Sequence, residues 1–427
     1  MMDAIPILKA REEKQKRVKD LLKEKETALV VTIKANIPGP NKNIHEATLL
    51  VRLFKNELQA LFLVHGAFFS EDADGPIYYL ALINSDVHHI KQTLIHLEDT
   101  HPLGRFIDLD VYADARKSLS RNDLGLLPRA CFLCNNDAFI CARSGKHPTS
   151  ELILFIHDKT RHYLHEQIEG IIEKAIMMEL NLESKFGLVT PTSCGSHPDM
   201  DYVMMVEAKK VIMPYLILIF FKGYEAECVE ELLENTRPIG IEAEQAMLEK
   251  TGGINCYKGL IFILGLAILA SGFALSHQQP FSMLFSNIKT MTKGLMKEFD
   301  QIADSFGLKA YQAFQIKGAR GEAIRGLPSV VHALDIADHL EDLSAPNLRQ
   351  LLKEIILISE DTVLLKRAKT LEAYGIIKKA LKNIDARNIN QARKFSDDAI
   401  MKGLSFGGSA DLLVTTLFLH FLKKHFF

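Results

Sequence analysis

The chain has 427 residues, 48% hydrophobic and 24% charged, with a formal net charge of −2 at pH 7. That length exceeds what one hydrophobic core serves, so two domains are expected, and the near-neutral balance excludes a general nucleic-acid binder. Six cysteines are too few for a disulfide framework, which makes a reducing cytoplasm the expected compartment.

Met1 to Ile7 is too short an apolar stretch for a secretory signal and runs straight into charged residues from Arg11 to Arg17. Ala10 to Lys25 has the pattern of a charged amphipathic helix, Ala28 to Ala35 is a strand rich in Val, Thr and Ile, and Ile37 to Asn43 is a loop broken by Pro38, Gly39 and Pro40. Leu49 to Leu53 and Leu58 to Val64 continue the alternation. Pro76 to Leu82 reads as a strand, and Ser85 to Leu97 as a helix leading into another strand. After about His157 strand signals nearly vanish, and Arg161 to Leu182 opens a run of helices separated by turns around Gly187, Gly252, Gly318 and Gly407. The expected architecture is therefore multidomain: an α+β N-terminal domain over 1–165, then an all-α domain over 166–427, with the boundary near 158–170. Gly259 to Leu275 is apolar and uncharged, but it is short for a membrane span and interrupted by Gly265, Ser271 and Gly272, so it reads as a buried central helix.

The strand after Gly104 carries Asp108 and Asp110 at i and i+2, which project from one face. Two aspartates on a rigid element suit magnesium held against a polyphosphate. Arg11, Lys42, Lys91 with Glu98, Arg121 and Arg129 supply cations suited to phosphate oxygens. Cys131, Cys134, Cys141 and His147 follow as C-x2-C-x6-C-x5-H around the turn residues Asn135, Asn136 and Asp137, a set that suits tetrahedral zinc. Buried free cysteines are the other reading, since Phe132, Leu133 and Phe139 make the stretch core-like.

From Arg11 to His147 the chain resembles the apo-citrate lyase phosphoribosyl-dephospho-CoA transferase family. The resemblance rests on P-G-P-x-K at Pro38 to Lys42, H-P-L-G-R-x-x-D-x-D-V at His101 to Val111, and the cysteine and arginine positions from Arg129 to Arg143. It implies a nucleotidyltransferase-like fold. It also implies attack by a serine of the citrate lyase acyl carrier (gamma) subunit on the phosphate at the 5″ carbon of a triphosphoribosyl-dephospho-CoA, with pyrophosphate leaving. Asp108 and Asp110 would hold Mg2+, with Lys42, Arg105 and Arg121 as phosphate ligands.

The second half gathers Gly195-Ser196-His197-Pro198-Asp199, then Arg237 with Glu242 and Glu244, then Gly252-Gly253-Ile254-Asn255 with Lys258. Gly318-Ala319-Arg320-Gly321-Glu322, Glu360-Asp361-Thr362 and Gly407-Gly408-Ser409-Ala410-Asp411 follow. Glycine-rich turns entering helices offer backbone N–H groups to phosphates. In order, these segments resemble the triphosphoribosyl-dephospho-CoA synthase family from Gly187 to Leu413. That implies a reaction in which the ribose 2′-hydroxyl of 3′-dephospho-CoA displaces adenine from ATP. His197, Asp199, Glu322 and Asp411 are the expected proton carriers, and Lys258, Arg320, Gly252, Gly253, Gly407 and Gly408 the expected phosphate ligands. The chain departs from the family pattern at Cys256, Tyr257, Val363, Ala368, Lys369 and Phe406.

The product of the second reaction is the substrate of the first, so the expected protein is a cytoplasmic bifunctional transferase that makes and installs the citrate lyase prosthetic group. Its partner is the apo-acyl carrier subunit, with no nucleic acid or membrane. The competing reading is an active transferase fused to an impaired nucleotide-binding helical domain.

Overall fold

A computed structural model describes residues 4–24, 26–83, 86–134, 136–300 and 306–427; Met1, Lys25, Ser85 and Asn135, named above, lie outside them. The chain divides into two compact units, one comprising Met1–Gln167 with Lys424–Phe427 and the other Ile168–Lys423.

In the first unit, α1 (Ala4–Leu21) leads to β1 (Leu29–Ala35), α2 (His45–Leu61), β2 (Val64–Asp72), β3 (Gly75–Leu82), α3 (Val87–Thr100), β4 (Ile107–Tyr112) and α4 (Ala138–Ser144), and α5 (Thr149–Leu180) follows. The strands form one antiparallel sheet in the order β2-β3-β1-β4. The two segments at Leu49 and Leu58 are a single helix, α2, because their apolar residues share one buried face. The alternation in β2 has no strong apolar partner phase, which is why the sequence does not display that strand. Helix α5 begins at Thr149, ahead of Arg161, and the division between units falls within it.

The face of the sheet that includes Val30, Ile77 and Tyr79 is covered by Val18 and Leu21 of α1. These residues recur with Arg11 and Lys14 at 11, 14, 18 and 21, so one stripe of α1 is apolar toward its end and cationic nearer its start. The apolar end seals the sheet; the cationic end overlies Asp110.

The second unit is helical: α6 (Tyr202–Tyr224), α7 (Leu232–Lys250), α8 (Lys258–Ser276), α9 (Met283–Met291), α10 (Phe306–Phe314), α11 (Gly318–Ile324), α12 (Pro328–Asp338), α13 (Ala345–Ile358), α14 (Thr362–Ala368), α15 (Leu371–Lys382), α16 (Ile389–Met401) and α17 (Gly407–Phe426). Among the described residues, α8 is the one helix long and apolar enough to cross a bilayer, yet 83% of its most apolar window is buried in protein. It packs on α6 with the backbones touching. A β-carbon on Gly223 would lie 2.1 Å from the Leu269 carbonyl oxygen, and one on Gly272 would lie 2.2 Å from that of Phe220.

Candidate active sites

Strand β4 alternates Ile107, Leu109 and Val111, all buried, with the half-buried Asp108, Asp110 and Tyr112. Asp108 pairs in register with Lys34 of β1 and Asp110 with Thr32, so the two carboxylates stand side by side on the face that α1 covers. Lys14 Nζ lies 3.4 Å from Asp110 Oδ2. Burial works against the Lys14 charge, but Asp110 and Tyr112 outweigh it and hold its pKa above the ordinary value. Crowding by surrounding protein raises the Asp108 carboxyl, with Arg129 opposing and Asp110 adding to the rise. The pair keeps solvent access, since the Asp108 side chain is 48% exposed, and two adjacent oxygen donors on a rigid strand fit a hard cation.

Around this pair, Lys34 contacts Asp74, and Arg11 lies 3.5 Å from the same carboxylate. Lys42 donates to the Ile37 carbonyl, and burial followed by the charge of Lys34 lowers its pKa. Arg129 completes the ring, donating from Nη1 to Asp108 Oδ1 at 2.8 Å. Lys14, Lys34 and Asp74 have no motif to mark them; the signal for Lys14 is its helical spacing with Val18 and Leu21.

β4 is an edge strand, and α3 covers its open edge with side chains. Lys91 Nζ donates to the Leu109 carbonyl at 2.9 Å, and the Leu109 N–H donates to Glu98 Oε1 at 2.9 Å. Glu98 is buried; burial raises its pKa, with Arg129 first among the opposing groups. It ion-pairs with Arg129 and with Arg121 at 3.3 Å. Of the expected phosphate ligands, Arg121 is thus held by Glu98 and by Asp99 at 2.5 Å, and Arg105 donates to the Ala130 carbonyl. Both brace the arginine cluster behind the aspartates.

The ligand atoms of Cys131, Cys134, Cys141 and His147 all lie within 4.8 Å of one another. His147 Nε2 is 3.3 Å from Cys134 Sγ, and that hydrogen bond is the main cause holding the Cys134 thiol down at about 6. Desolvation first, then Cys134, pushes Cys141 up to about 11. The core-like reading of this stretch fails at Phe139, which is 69% exposed.

In the helical unit, His197 Nε2 lies 2.8 Å from Ser405 Oγ. Burial and then the Arg367 guanidinium lower its pKa, Asp199 opposing, which favours the neutral imidazole. Asp199 also acts on Cys256, whose thiol is pushed up to about 11 by burial first and by Asp199 and Asp201 next. Asp411 stands directly behind Gly259, where a β-carbon would meet its Oδ2 at 2.1 Å. Burial, then the charges of Asp361 and Glu179, raise the Asp411 carboxyl well above its ordinary value. Tyr257 is buried beside this group, its hydroxyl has no hydrogen-bond partner, and burial raises its pKa. Gly259 also lines a cavity of about 310 Å3, with Arg237, Glu244, Lys258 and Arg320 among its polar residues and Phe262 and Leu266 among its apolar walls. Lys258 Nζ is 2.5 Å from Glu244. The structure thus brings Lys258 and Arg320 to one cavity, with Asp411 adjoining it.

Three groups of expected site residues are engaged within the fold. Glu322 is buried and spent on Ser329, accepting from its hydroxyl at 2.7 Å and its N–H at 3.1 Å, so its carboxylate caps α12 rather than facing the cavity. Gly252 and Gly253 close the C-terminus of α7, Gly253 N–H donating to the Leu248 carbonyl at 2.7 Å, and so do not present a helix N-terminus to phosphate. Gly407 and Gly408 do open a helix, but Asp361 already occupies it. Its Oδ2 accepts from the Ser409 N–H and hydroxyl, each at 2.8 Å, and its Oδ1 accepts from the N–H groups of Val363 and Leu364.

Residues 3–163 match the family of apo-citrate lyase phosphoribosyl-dephospho-CoA transferases, and residues 165–426 match the ATP:dephospho-CoA triphosphoribosyl transferase family. Protein CitXG of Haemophilus influenzae is 30% identical, covering 96% of this chain and 94% of its own length. The chain belongs to this fused family. Protein CitXG of Leuconostoc mesenteroides subsp. cremoris is similar at 29% identity over 98% of this chain and 97% of its own. A 2-(5''-triphosphoribosyl)-3'-dephosphocoenzyme-A synthase of Klebsiella pneumoniae is 30% identical over 60% of this chain and 90% of its own. The transferase match contains Asp108, Asp110 and the cysteine cluster; the triphosphoribosyl transferase match contains His197, Lys258, Arg320 and Asp411. The chain is a bifunctional transferase.

Proposed function

We propose that residues 166–427 make the citrate lyase prosthetic group precursor from ATP and 3′-dephospho-CoA, and that residues 1–165 install it on the apo-acyl carrier subunit in the cytoplasm. In the first step the ribose 2′-hydroxyl of dephospho-CoA bonds to the anomeric carbon of ATP as the bond to adenine breaks. The hydroxyl loses a proton and the departing adenine gains one. Asp411 suits the acid: burial raises its carboxyl pKa well above the ordinary value, which favours the protonated form that gives up its proton as negative charge develops on the leaving base. His197, whose lowered pKa favours the neutral imidazole, and Asp199 are suited to take the hydroxyl proton, and Lys258, Arg237 and Arg320 suit the triphosphate.

In the second step the serine hydroxyl oxygen of the carrier bonds to the phosphorus at the 5″ carbon as the bond from that phosphorus to the pyrophosphate oxygen breaks, and the hydroxyl proton passes to the departing pyrophosphate or to solvent. This is transfer at phosphorus, which requires positioning and charge neutralisation. The observation that carries the reading is Asp108 beside Asp110 on β4, ringed by Lys14, Lys34, Lys42 and Arg129. Mg2+ held by the two aspartates would neutralise the phosphate oxygens. Arg129 and Lys14 fix the orientation of the two carboxylates, and Lys42 with Lys34 suits the departing pyrophosphate. A small antiparallel sheet with paired carboxylates on one strand supports a nucleotidyltransferase-like reading of this domain.

The test is mass spectrometry of apo-acyl carrier protein incubated with this chain, ATP, Mg2+ and dephospho-CoA. The expected result is a covalent phosphoribosyl-dephospho-CoA adduct with release of adenine. Adduct formation only when the triphosphoribosyl intermediate is supplied ready-made would favour the impaired second domain, for which the partnerless Tyr257 hydroxyl at a departure from the family pattern is the supporting observation.

A further inference from the structure

We propose that Cys131, Cys134, Cys141 and His147 hold a structural zinc ion that staples the chain segment carrying Arg129. This inference is independent of the reaction proposed above.

The four side chains come from three local structures: the turn after Arg129, the buried face of α4, and the loop before α5. Their convergence is tight. Cys134 Sγ is 3.5 Å from Cys141 Sγ and 3.3 Å from His147 Nε2, close to the roughly 3.8 Å edge of a tetrahedron with zinc–sulfur bonds of about 2.3 Å. His147 presents Nε2 to the sulfurs while its Nδ1 faces the Glu151 carboxylate 4.0 Å away. Lys146 Nζ is 3.6 Å from Cys134 Sγ, where its charge offsets the excess negative charge of three thiolates around a divalent ion.

Apolar burial within α4 itself is slight. Helix α4 has seven residues and Cys141 as its buried one, while Phe139 and Ile140 are 69% and 63% exposed and Leu127 is 84% exposed. A helix this short is not stable by itself. Two backbone hydrogen bonds close the turn: Cys131 N–H to the Asn136 carbonyl at 2.7 Å and Ala138 N–H to the Arg129 carbonyl at 2.9 Å. The second joins the cysteine turn to Arg129, the residue that reaches Asp108, and Phe132 packs edge-on against Phe106 from the same turn. Zinc would therefore fix the backbone from which Arg129 extends.

The full-length chain, purified without chelator, is assayed for metal by elemental mass spectrometry and for free thiols. Near one zinc per chain is expected, with Cys134→Ser and Cys141→Ser each losing it. Cobalt(II) added to metal-stripped protein should give the thiolate charge-transfer and visible bands of a tetrahedral site, weakened in Cys141→Ser. Amide exchange at Cys131 and Ala138 should rise at least tenfold on zinc removal. Zinc-free protein with six titratable thiols overturns the proposal. So does zinc-free protein with two thiols missing, which would identify a disulfide between Cys134 and Cys141. Stoichiometric zinc retained in both serine variants would place the metal elsewhere and overturn the assignment, whether or not the transferase reactions proceed.

Discussion

Arg129 Nη1 donates at 2.8 Å both to Asp108 Oδ1 and to the carbonyl of Ile107, so one guanidinium grips a carboxylate and the backbone of the strand that carries it. The same side chain reaches the buried Glu98. Asp108 is thereby fixed in place from outside its own strand, and Asp110 is fixed by Lys14.

Asp108→Asn and Asp110→Asn should each lower transfer to the carrier protein by at least about 100-fold while leaving dephospho-CoA-dependent adenine release unchanged. Parallel assays of adduct mass and free adenine read the two outputs separately. Transfer at the wild-type rate in either variant would remove the metal assignment.

Arg129→Ala leaves Glu98 buried with Arg121 as its remaining ion-pair partner at 3.3 Å. Truncating one partner of such a pair costs about 3–5 kcal/mol when no other partner remains, so a loss near the lower end is expected in urea denaturation. Arg129→Lys should recover part of the stability and less of the transfer rate, because a point charge cannot bond Asp108 and Ile107 together.

The Asp411 carboxyl makes a signed pH prediction. Its folded pKa is raised, by burial first and by Asp361 and Glu179 next, so the stability it contributes is present below its unfolded pKa and is lost as pH rises through the folded value. Asp411→Asn removes that loss. The variant should melt higher than wild type at neutral to mildly alkaline pH, with the difference vanishing in acid. Adenine release should fall by at least about 100-fold. A variant that is stabilised and still active would return Asp411 to the structure and take it out of the chemistry.

Asp361 contrasts with it. Its carboxylate accepts from Val363 and Leu364 at the start of α14 and from Ser409 at the start of α17, so Asp361→Ala removes two helix caps together. Caps contribute about 0.5–2 kcal/mol each, and a loss of about 2–3 kcal/mol is expected in denaturant titration, with Ser409→Ala costing less.

Lys258→Ala and Arg320→Ala should raise the KM for ATP about tenfold or more with a smaller effect on kcat, as expected for charge-assisted contacts to a bound triphosphate. Steady-state kinetics of adenine release separates the two parameters.

Local features are the legible ones. Asp108 and Asp110 are two apart in a β-branched run, and the cysteine spacing lies within a short stretch, so the order of residues alone displays both. The arginine clamp is hidden, because Arg129 and Asp108 are 21 residues apart and nothing in either neighbourhood names the other. The glycines at 407 and 408 mislead for the same reason: the carboxylate that fills their helix N-terminus comes from a residue 48 positions before Ser409. Glu322 reads as a proton carrier in sequence, where a catalytic carboxylate and a capping carboxylate look alike, and the structure adds that it accepts from Ser329.

The backbone contact between α6 and α8 at Gly223 and Gly272 leaves neither helix room to slide or roll over the other. Since Ile219 of α6 and Phe262, Leu266 and Leu269 of α8 are walls of the same cavity, its bore is gauged by two glycines remote from any reacting atom. A methyl group at either glycine would widen the gap between the helices, and the first property to change would be which nucleotide fits, ahead of the rate at which it reacts.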